Sequence, residues 1–166
     1  MSDYLYRLSD PFAPPPYQAT GATFYGFVVG ADPSKLQALI DRDLGAPSMG
    51  RQFASVMPYA VVTYVDIQQS SSPSAPPSRQ GWYAEADLMV WLLVAEITDD
   101  KQPDPRLFWY VPMVWVNHPI AVIEGREAFG YPKNLGDVTI DISGAAPSFM
   151  TTATVFPGDP SQQVVT

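Results

Sequence analysis

Residues 118–138 read HPIAVIEGREAFGYPKNLGDV and contain one of only three lysines in the 166-residue chain. Lys133 directly follows Pro132 in an aromatic segment that is rich in turn-forming residues. A lysine that acts as a free amine needs a fixed backbone and a poorly solvated pocket, because water and mobility both favour its charged form. The segment therefore predicts a candidate nucleophile at Lys133. The alternative is an exposed turn residue whose aliphatic stem covers a neighbouring aromatic ring.

The sequence on both sides of this stretch predicts a chain made mainly of strands. One helix is expected at about 32–44, where Asp32 can cap, Pro33 occupies the first helical position and Gly45 can terminate. Runs of β-branched and aromatic residues typical of strands lie at 22–29, 53–66, 81–97, 107–116, 120–123, 138–142 and 150–156. This order favours a mainly β, α+β fold whose antiparallel sheet is curled or barrel-like.

The length of the chain predicts a single domain with one core. Residues 1–21 are proline-rich and are expected to form an N-terminal arm, with the domain itself at 22–166. Residues 70–80, SSSPSAPPSRQ, predict a hairpin loop, which can be interpreted as a lid or as an inert connection.

Composition and charge exclude several classes of partner. The formal net charge of −8 repels phosphate backbones and anionic lipid surfaces, so no nucleic-acid or membrane partner is expected. The longest apolar run, 88–95, is too short to span a bilayer. The N-terminus lacks the basic and apolar segments of a signal peptide, and the absence of cysteine fits a cytoplasmic location.

The side chains also exclude most nucleophilic and metal chemistry. There is no cysteine, and His118 is the sole histidine, so neither a serine–histidine pair nor a zinc or iron ligand set is expected. His118 lies before Pro119 and is interpreted as a turn or core-edge residue. No glycine motif for phosphate or dinucleotide binding is present, so neither a cofactor nor a metal ion is predicted. The chemistry that remains is that of an amine and a carboxylic acid.

The run 118–138 resembles the signature region of the acetoacetate decarboxylase family. In that family an apolar segment leads into Gly-Arg-Glu and then into Tyr-Pro-Lys or Phe-Pro-Lys, which carries a Schiff-base lysine. Weaker similarity extends over most of residues 22–156. The positions that match without gaps are Pro119, Ala121, Val122, Gly125, Arg126, Glu127, Tyr131, Pro132, Lys133, Leu135 and Gly136.

The resemblance implies an acetoacetate decarboxylase-like sheet and a lyase in which Lys133 forms a Schiff base with a small keto acid. Decarboxylation, or a related aldol or dehydration reaction, would follow. In the segment WYAEADLMVWLLV, Glu85 matches the family's active-site glutamate and would move protons. Further residues are candidates for lining the substrate pocket or supporting the turn: Arg126, Glu127, Tyr131 and Asn134.

The sequence departs from the family pattern at several positions. Asn134 stands where the decarboxylase proper has a second lysine, and an expected arginine and an expected acid fall at Ala22 and Ala60. The chain also ends earlier than family members do, so either a homo-oligomer or a missing C-terminal segment is expected to complete the sheet. A non-catalytic small-molecule-binding barrel that retains the lysine turn is the alternative. A structural or assembly domain of a longer polypeptide is a third interpretation.

Overall fold

The computed structural model describes residues 15–45, 51–73, 81–97 and 105–153. This part of the chain contains seven strands and two helices, which confirms the prediction of a mainly β fold. The strands are β1 (Gln18–Gly30), β2 (Gln52–Ser55), β3 (Tyr59–Ser71), β4 (Trp82–Ile97), β5 (Arg106–Val116), β6 (Lys133–Asp141) and β7 (Ser148–Ala153). The helices are α1 (Pro33–Leu44) and α2 (Pro119–Phe129).

The strands form one sheet in the order β1-β3-β4-β5-β6-β7, and β2 pairs with β4 outside this path. The pairs β2–β4 and β6–β7 are antiparallel, as predicted. The pair β5–β6 is parallel, with Val114 opposite Lys133, so the sheet is mixed. The reason is that α2 lies between β5 and β6 in the chain, and a helical crossover returns the chain to run in the same direction.

Helix α1 confirms the prediction of a helix at about 32–44. The Asp32 carboxylate accepts hydrogen bonds from the backbone N–H and the hydroxyl of Ser34, at 2.8 and 2.6 Å. These bonds stabilise the ionised cap and hold the pKa of Asp32 below its ordinary value. Leu36 and Ile40 are buried one helical turn apart, so a single face of α1 packs inward.

Helix α2 corrects the prediction of a strand at 120–123. His118 is the N-cap residue, Pro119 follows at the first helical position, and Gly130 ends the helix with a left-handed φ of 71°. The buried residues Ala121, Glu124 and Gly125 recur at helical spacing. The apolar, β-branched run at 120–123 has the composition of a strand, but these terminal signals and tertiary packing override that weak local preference.

The remaining boundaries differ from the sequence prediction in detail. The predicted strand 53–66 is divided into β2 and β3, and β6 begins at Lys133 instead of at residue 138. Strand β1 begins at Gln18, inside the segment expected to be an arm. Residues 1–14 of that arm, 74–80 of the expected hairpin loop and 154–156 of the last expected strand lie outside the described residues.

Intrachain contacts divide the chain into two units. Among the described residues, the first unit comprises 15–25, 64–73, 81–88 and 114–153. Its buried apolar residues include Val65, Val114 and Val116, and the ring of Phe149 packs against Tyr25 and Tyr64 at centroid distances of 5.1 and 4.7 Å.

The second unit comprises residues 26–45, 51–63, 89–97 and 105–113 of the described chain. Its core is a cluster of four buried side chains, Leu36, Ile40, Leu92 and Val94, which joins α1 to the second half of β4.

Within the part of the chain that the structure describes, neither helix has the length and hydrophobicity needed to cross a membrane.

Candidate active site

Lys133 is the first residue of β6, and its side chain is enclosed in the first unit. Its Nζ lies 3.4 Å from Oε2 of Glu85 and 3.4 Å from Oδ2 of Asp87. The Lys133 side chain is only 13% exposed, and each carboxylate side chain is 7% exposed. These separations exceed the roughly 2.8 Å of a strong charge-assisted hydrogen bond. The nitrogen is therefore ion-paired to two carboxylates without being tightly bound to either.

Strand β4 presents both carboxylates because successive side chains of a strand alternate between its two faces. Glu85 and Asp87 are two residues apart and thus share one face. The sequence analysis identified Glu85 through the family resemblance, and it missed Asp87. The alternation of acidic residues in AEAD was a sufficient signal, since it places both acids on whichever side the strand buries.

The backbone around Lys133 explains the glycines of the signature segment. The stem of Lys133 lies against Gly125 of α2, so closely that a Cβ at residue 125 would fall 2.4 Å from the lysine Cδ. The carbonyl of Gly125 accepts a hydrogen bond from the Tyr131 N–H at 2.9 Å, and the Lys133 N–H donates to Tyr131 O at 2.8 Å. With Gly130 in the left-handed conformation, these bonds form the turn that delivers Lys133 to the site.

Asp87 is a buried contact of the lysine whose electrostatic environment is strongly perturbed. Burial raises the pKa of Asp87 to about 7, the positive charge of Lys133 opposes this rise, and the negative charge of Glu85 adds to it. Its Oδ1 is buried and has no hydrogen-bond partner among the described residues. Near neutral pH the Asp87 carboxyl can therefore both take up and release a proton.

A second buried acid lies on α2. The hydroxyl of Tyr83 donates a hydrogen bond to Oε2 of Glu124, and burial raises the pKa of Glu124 to about 7. Burial and the hydrogen bond to Glu124 raise the pKa of Tyr83 in turn. The imidazole of His118 stacks on the Tyr83 ring at a centroid distance of 4.4 Å. Sequence reasoning did not select Glu124, because residues 120–123 were interpreted as a strand that ends before it, whereas its burial depends on a helix.

The other predicted site residues lie at the edge of this arrangement. Arg126 and Glu127 are exposed on α2, and Tyr131 is 40% exposed. The side-chain amide of Asn134 donates to Pro132 O at 3.1 Å, which is a bond within the turn. The Asn134 bond agrees with support of the turn, and the roles of Arg126, Glu127 and Tyr131 remain predictions. In the described residues, no group of three or more histidine, aspartate or glutamate side chains is arranged to hold a metal ion.

The fold and the site together define a mainly β protein that holds a lysine amine among buried acids on one side of a mixed sheet. Residues 6–155 match the acetoacetate decarboxylase (ADC) family, and the chain belongs to that family. This confirms the resemblance recognised in the sequence. A search of curated proteins finds no match.

Solved structures of the family have the same fold. The acetoacetate decarboxylase of Legionella pneumophila is 15% identical with a TM-score of 0.61, and the match covers 86% of this chain and 47% of that one. An acetoacetate decarboxylase-like enzyme of Sphingomonas wittichii RW1 is 20% identical with a TM-score of 0.51, covering 72% and 41%. A further acetoacetate decarboxylase structure is 15% identical with a TM-score of 0.61, covering 89% and 54%. This chain thus spans about half the length of the structures it matches.

Proposed function

We propose that the protein is a Schiff-base-forming lyase that acts on a small keto acid through the amine of Lys133. The observation that carries the proposal is the placement of one enclosed lysine nitrogen 3.4 Å from each of two buried carboxylates. Membership of the acetoacetate decarboxylase family and the shared fold support it.

The first step is proton removal, because an ammonium group has no lone pair with which to attack a carbonyl. Asp87 is positioned for this step: its Oδ2 is 3.4 Å from Nζ, and its pKa of about 7 allows it to hold the proton near neutral pH. The Lys133 lone pair then attacks the ketone carbon. Loss of water from the resulting carbinolamine gives an iminium ion bound to Nζ.

The iminium ion acts as an electron sink in the second half of the reaction. When the bond to the carboxylate carbon breaks, its electron pair moves to the iminium and carbon dioxide leaves, so that an enamine is formed. Protonation of the enamine carbon by Glu85 or Asp87 and hydrolysis of the imine return the free lysine and the product ketone. The same enamine can instead attack a second carbonyl compound, which is the aldol branch of the proposal.

One observation favours the alternative of a non-catalytic binding site. Both carboxylates face the lysine nitrogen at equal distance and attract its charged form. A site that remained in this ion-paired state would bind a small molecule without condensing with it.

The test is reductive trapping of the imine. The protein is incubated with acetoacetate, acetylacetone or pyruvate, reduced with borohydride, and mapped by peptide mass spectrometry, while product release is followed in parallel. We expect an adduct on Lys133 and release of product. The exposed Lys35 on α1 is an internal control for nonspecific labelling. An adduct without turnover supports the binding site, and labelling of Lys133 no greater than that of Lys35 contradicts both interpretations.

Lys133→Arg is the matched variant for this experiment. Guanidinium remains protonated at all accessible pH values, so the positive charge opposite Glu85 and Asp87 is kept while nucleophilic attack is lost. We expect a folded variant with no adduct at position 133 and no turnover. Unchanged turnover in this variant would show that Lys133 is not the nucleophile.

A further inference from the structure

The mechanism above gives no role to the hydrogen-bonded pair Tyr83 and Glu124. Tyr83 on β4 donates a hydrogen bond to Glu124 on α2, and Glu124 is only 7% exposed. The stacked imidazole of His118 covers one face of the Tyr83 ring. Burial of a carboxyl group costs free energy because it penalises the charged form, and a hydrogen bond from one phenol offsets only part of that cost. Glu124 is therefore expected to serve the surrounding structure by its position.

Helix α2 links Glu124 directly to the lysine. The next residue, Gly125, is the one against which the Lys133 stem lies, with space for no Cβ between them. The Gly125 carbonyl also accepts the Tyr131 N–H bond that closes the turn before Lys133. A displacement of α2 at Glu124 is therefore passed on both to the side chain and to the backbone of the lysine.

Strand β4 forms the other half of the connection. Tyr83 lies two residues before Glu85 on the same face of the strand, so one strand carries both the donor to Glu124 and the carboxylate partners of Lys133. The start of α2 is attached separately, since the Ala86 N–H donates to Asn117 Oδ1 at 2.8 Å and the Asn117 N–H donates to Ala86 O at 3.2 Å. The Tyr83–Glu124 bond is thus a second attachment, made within the helix itself.

We infer that Glu124 is a positioning residue for Lys133: by accepting the Tyr83 hydrogen bond it fixes α2 on β4 and so sets the distance from the lysine nitrogen to Glu85 and Asp87. This assignment rests on the proposed function and deepens it, because it explains how a lysine on β6 is held in register with acids on β4.

Charge gives Glu124 an effect that a merely structural residue lacks. Its carboxyl interacts electrostatically with Glu85 of β4 and with Lys133 of β6, in addition to its bond with Tyr83. Asp87 of β4 and the stacked His118 are the other titratable groups near this set. Above about pH 7, where the Glu124 carboxyl is ionised, removal of its charge weakens the electrostatic attraction on the lysine ammonium.

Two variants separate the hydrogen bond from the charge. Glu124→Gln keeps an oxygen that can accept from Tyr83 and removes the charge. We expect trapping at Lys133 to persist and to be faster than in the wild-type protein only above about pH 7, where the wild-type Glu124 is ionised. Tyr83→Phe removes the hydrogen bond and keeps the ring stacked on His118. We expect trapping to slow by about tenfold or more, the order of effect produced by losing a hydrogen bond to a charged group.

Tyr110→Phe is the matched control. The Tyr110 hydroxyl donates to Asp43 Oδ2 at 2.8 Å in the second unit, so this variant also loses a tyrosine–carboxylate hydrogen bond. We expect it to lower thermal stability without changing the trapping rate of the folded protein. If Tyr83→Phe and Glu124→Gln both behave like Tyr110→Phe, with reduced stability and an unchanged rate and pH profile, the positioning role is wrong.

A second measurement keeps this inference separate from the proposed function. Competitive acylation of the amines with acetic anhydride over a range of pH reports the exposure and protonation of Lys133 without any carbonyl condensation. Absence of trapping in the wild-type protein contradicts the proposed function alone. A Lys133 acylation profile that is identical in wild-type, Tyr83→Phe and Glu124→Gln protein, relative to Lys35, overturns the positioning role.

Discussion

Gly125 and Lys133 show how one missing methyl group can determine a site. The Cβ of any other residue at position 125 would lie 2.4 Å from Cδ of Lys133 and 2.9 Å from its Cε. The lysine stem is flexible and the helix backbone is not, so the side chain is the part that must move. The glycine of the signature segment is therefore required by the position of the amine rather than by the conformation of the helix.

For Gly125→Ala we expect lost trapping in a protein that remains folded. Alanine is favoured over glycine in a helix by up to about 1 kcal/mol, which offsets the cost of moving the lysine stem. Displacement of Nζ from Glu85 and Asp87 should slow imine formation strongly. Thermal denaturation and borohydride trapping, measured on the same sample, test this expectation. A variant that traps at the wild-type rate would show that the contact is unimportant.

Asp87 gives a pH-dependent expectation for stability. Burial raises its pKa to about 7, above the roughly 3.9 of an unfolded chain. Between these values the folded protein holds a proton that the unfolded chain has released, so this contribution to stability is complete below the unfolded pKa and is lost as pH rises through the folded pKa. The slope from one such group is at most about 1.4 kcal/mol per pH unit.

Asp87→Asn removes this titration. We expect the unfolding free energy of the variant, relative to wild type, to increase as the pH is raised from about 5 to about 8. Denaturant unfolding at several pH values measures it. Asp141→Asn is the control: hydrogen bonds from Ser143 hold the pKa of Asp141 below its ordinary value, so its difference from wild type should be constant over this interval. If the difference in unfolding free energy between Asp87→Asn and wild type is also constant with pH, the raised pKa of Asp87 is wrong.

The site residues differ in how far they could be predicted. Lys133 and Glu85 were predicted from the resemblance of the signature segment and of WYAEADLMVWLLV to the family, and the structure places Nζ and Oε2 3.4 Å apart. Asp87 was predictable from strand alternation once Glu85 had been chosen. Glu124 was not, because its burial depends on a helix in a segment whose composition resembles a strand.

Helix α2 is the element on which the site depends, and its two ends have different signals. At its start, Pro119 follows the N-cap residue His118, whose side chain makes no capping hydrogen bond. At its end, Gly130 has a φ of 71° and the Tyr131 N–H returns to Gly125 O. The C-terminal end thus carries the geometry that leads into β6 and Lys133.

Gly130→Ala tests this end of the helix. No atom of the described residues lies within 4 Å of the position that a Cβ would occupy, so the cost comes from placing an L-residue in the left-handed region, about 1–2 kcal/mol. We expect a lower denaturation midpoint together with slower trapping, since the turn before Lys133 is strained. Gly26→Ala is a suitable control, because residue 26 also has open space around it and lacks a positive φ. Equal effects of the two substitutions would contradict the role of the turn.

The surface of the described chain exposes large apolar side chains. Those more than half exposed are Phe24, Val28, Trp82, Ile97, Leu107, Trp109, Phe129, Leu135, Ile142 and Met150. Within the second unit, an apolar hollow is lined by Val61, Thr63, Trp91 and Trp109. Soluble monomers rarely leave extensive apolar surface uncovered, so we propose that a second copy of the chain covers part of it.

Trp109→Ser tests this expectation. Trp109 is 54% exposed, so its replacement should affect folding little and should weaken association by removing apolar contact area. Sedimentation velocity over a wide concentration range measures the change. A wild-type protein that remains monomeric at all concentrations would contradict the expected homo-oligomer. It would favour the alternative that a further segment of the polypeptide covers this apolar surface.

The sequence by itself determined those elements of the fold whose signals, such as a cap or a pattern of apolar residues, lie close together in the chain. The cap and apolar spacing of α1 and the strand-rich character of the chain are of this kind. The candidate site has no such local signal, because Lys133 contacts Glu85 and Asp87, which lie 48 and 46 positions away in the sequence. Their meeting required the β5–α2–β6 crossover, the register of the parallel pair and the burial of one face of β4. These three features depend on how segments that are far apart in the sequence pack together. The burial of side chains determines that packing cooperatively for the folded chain as a whole.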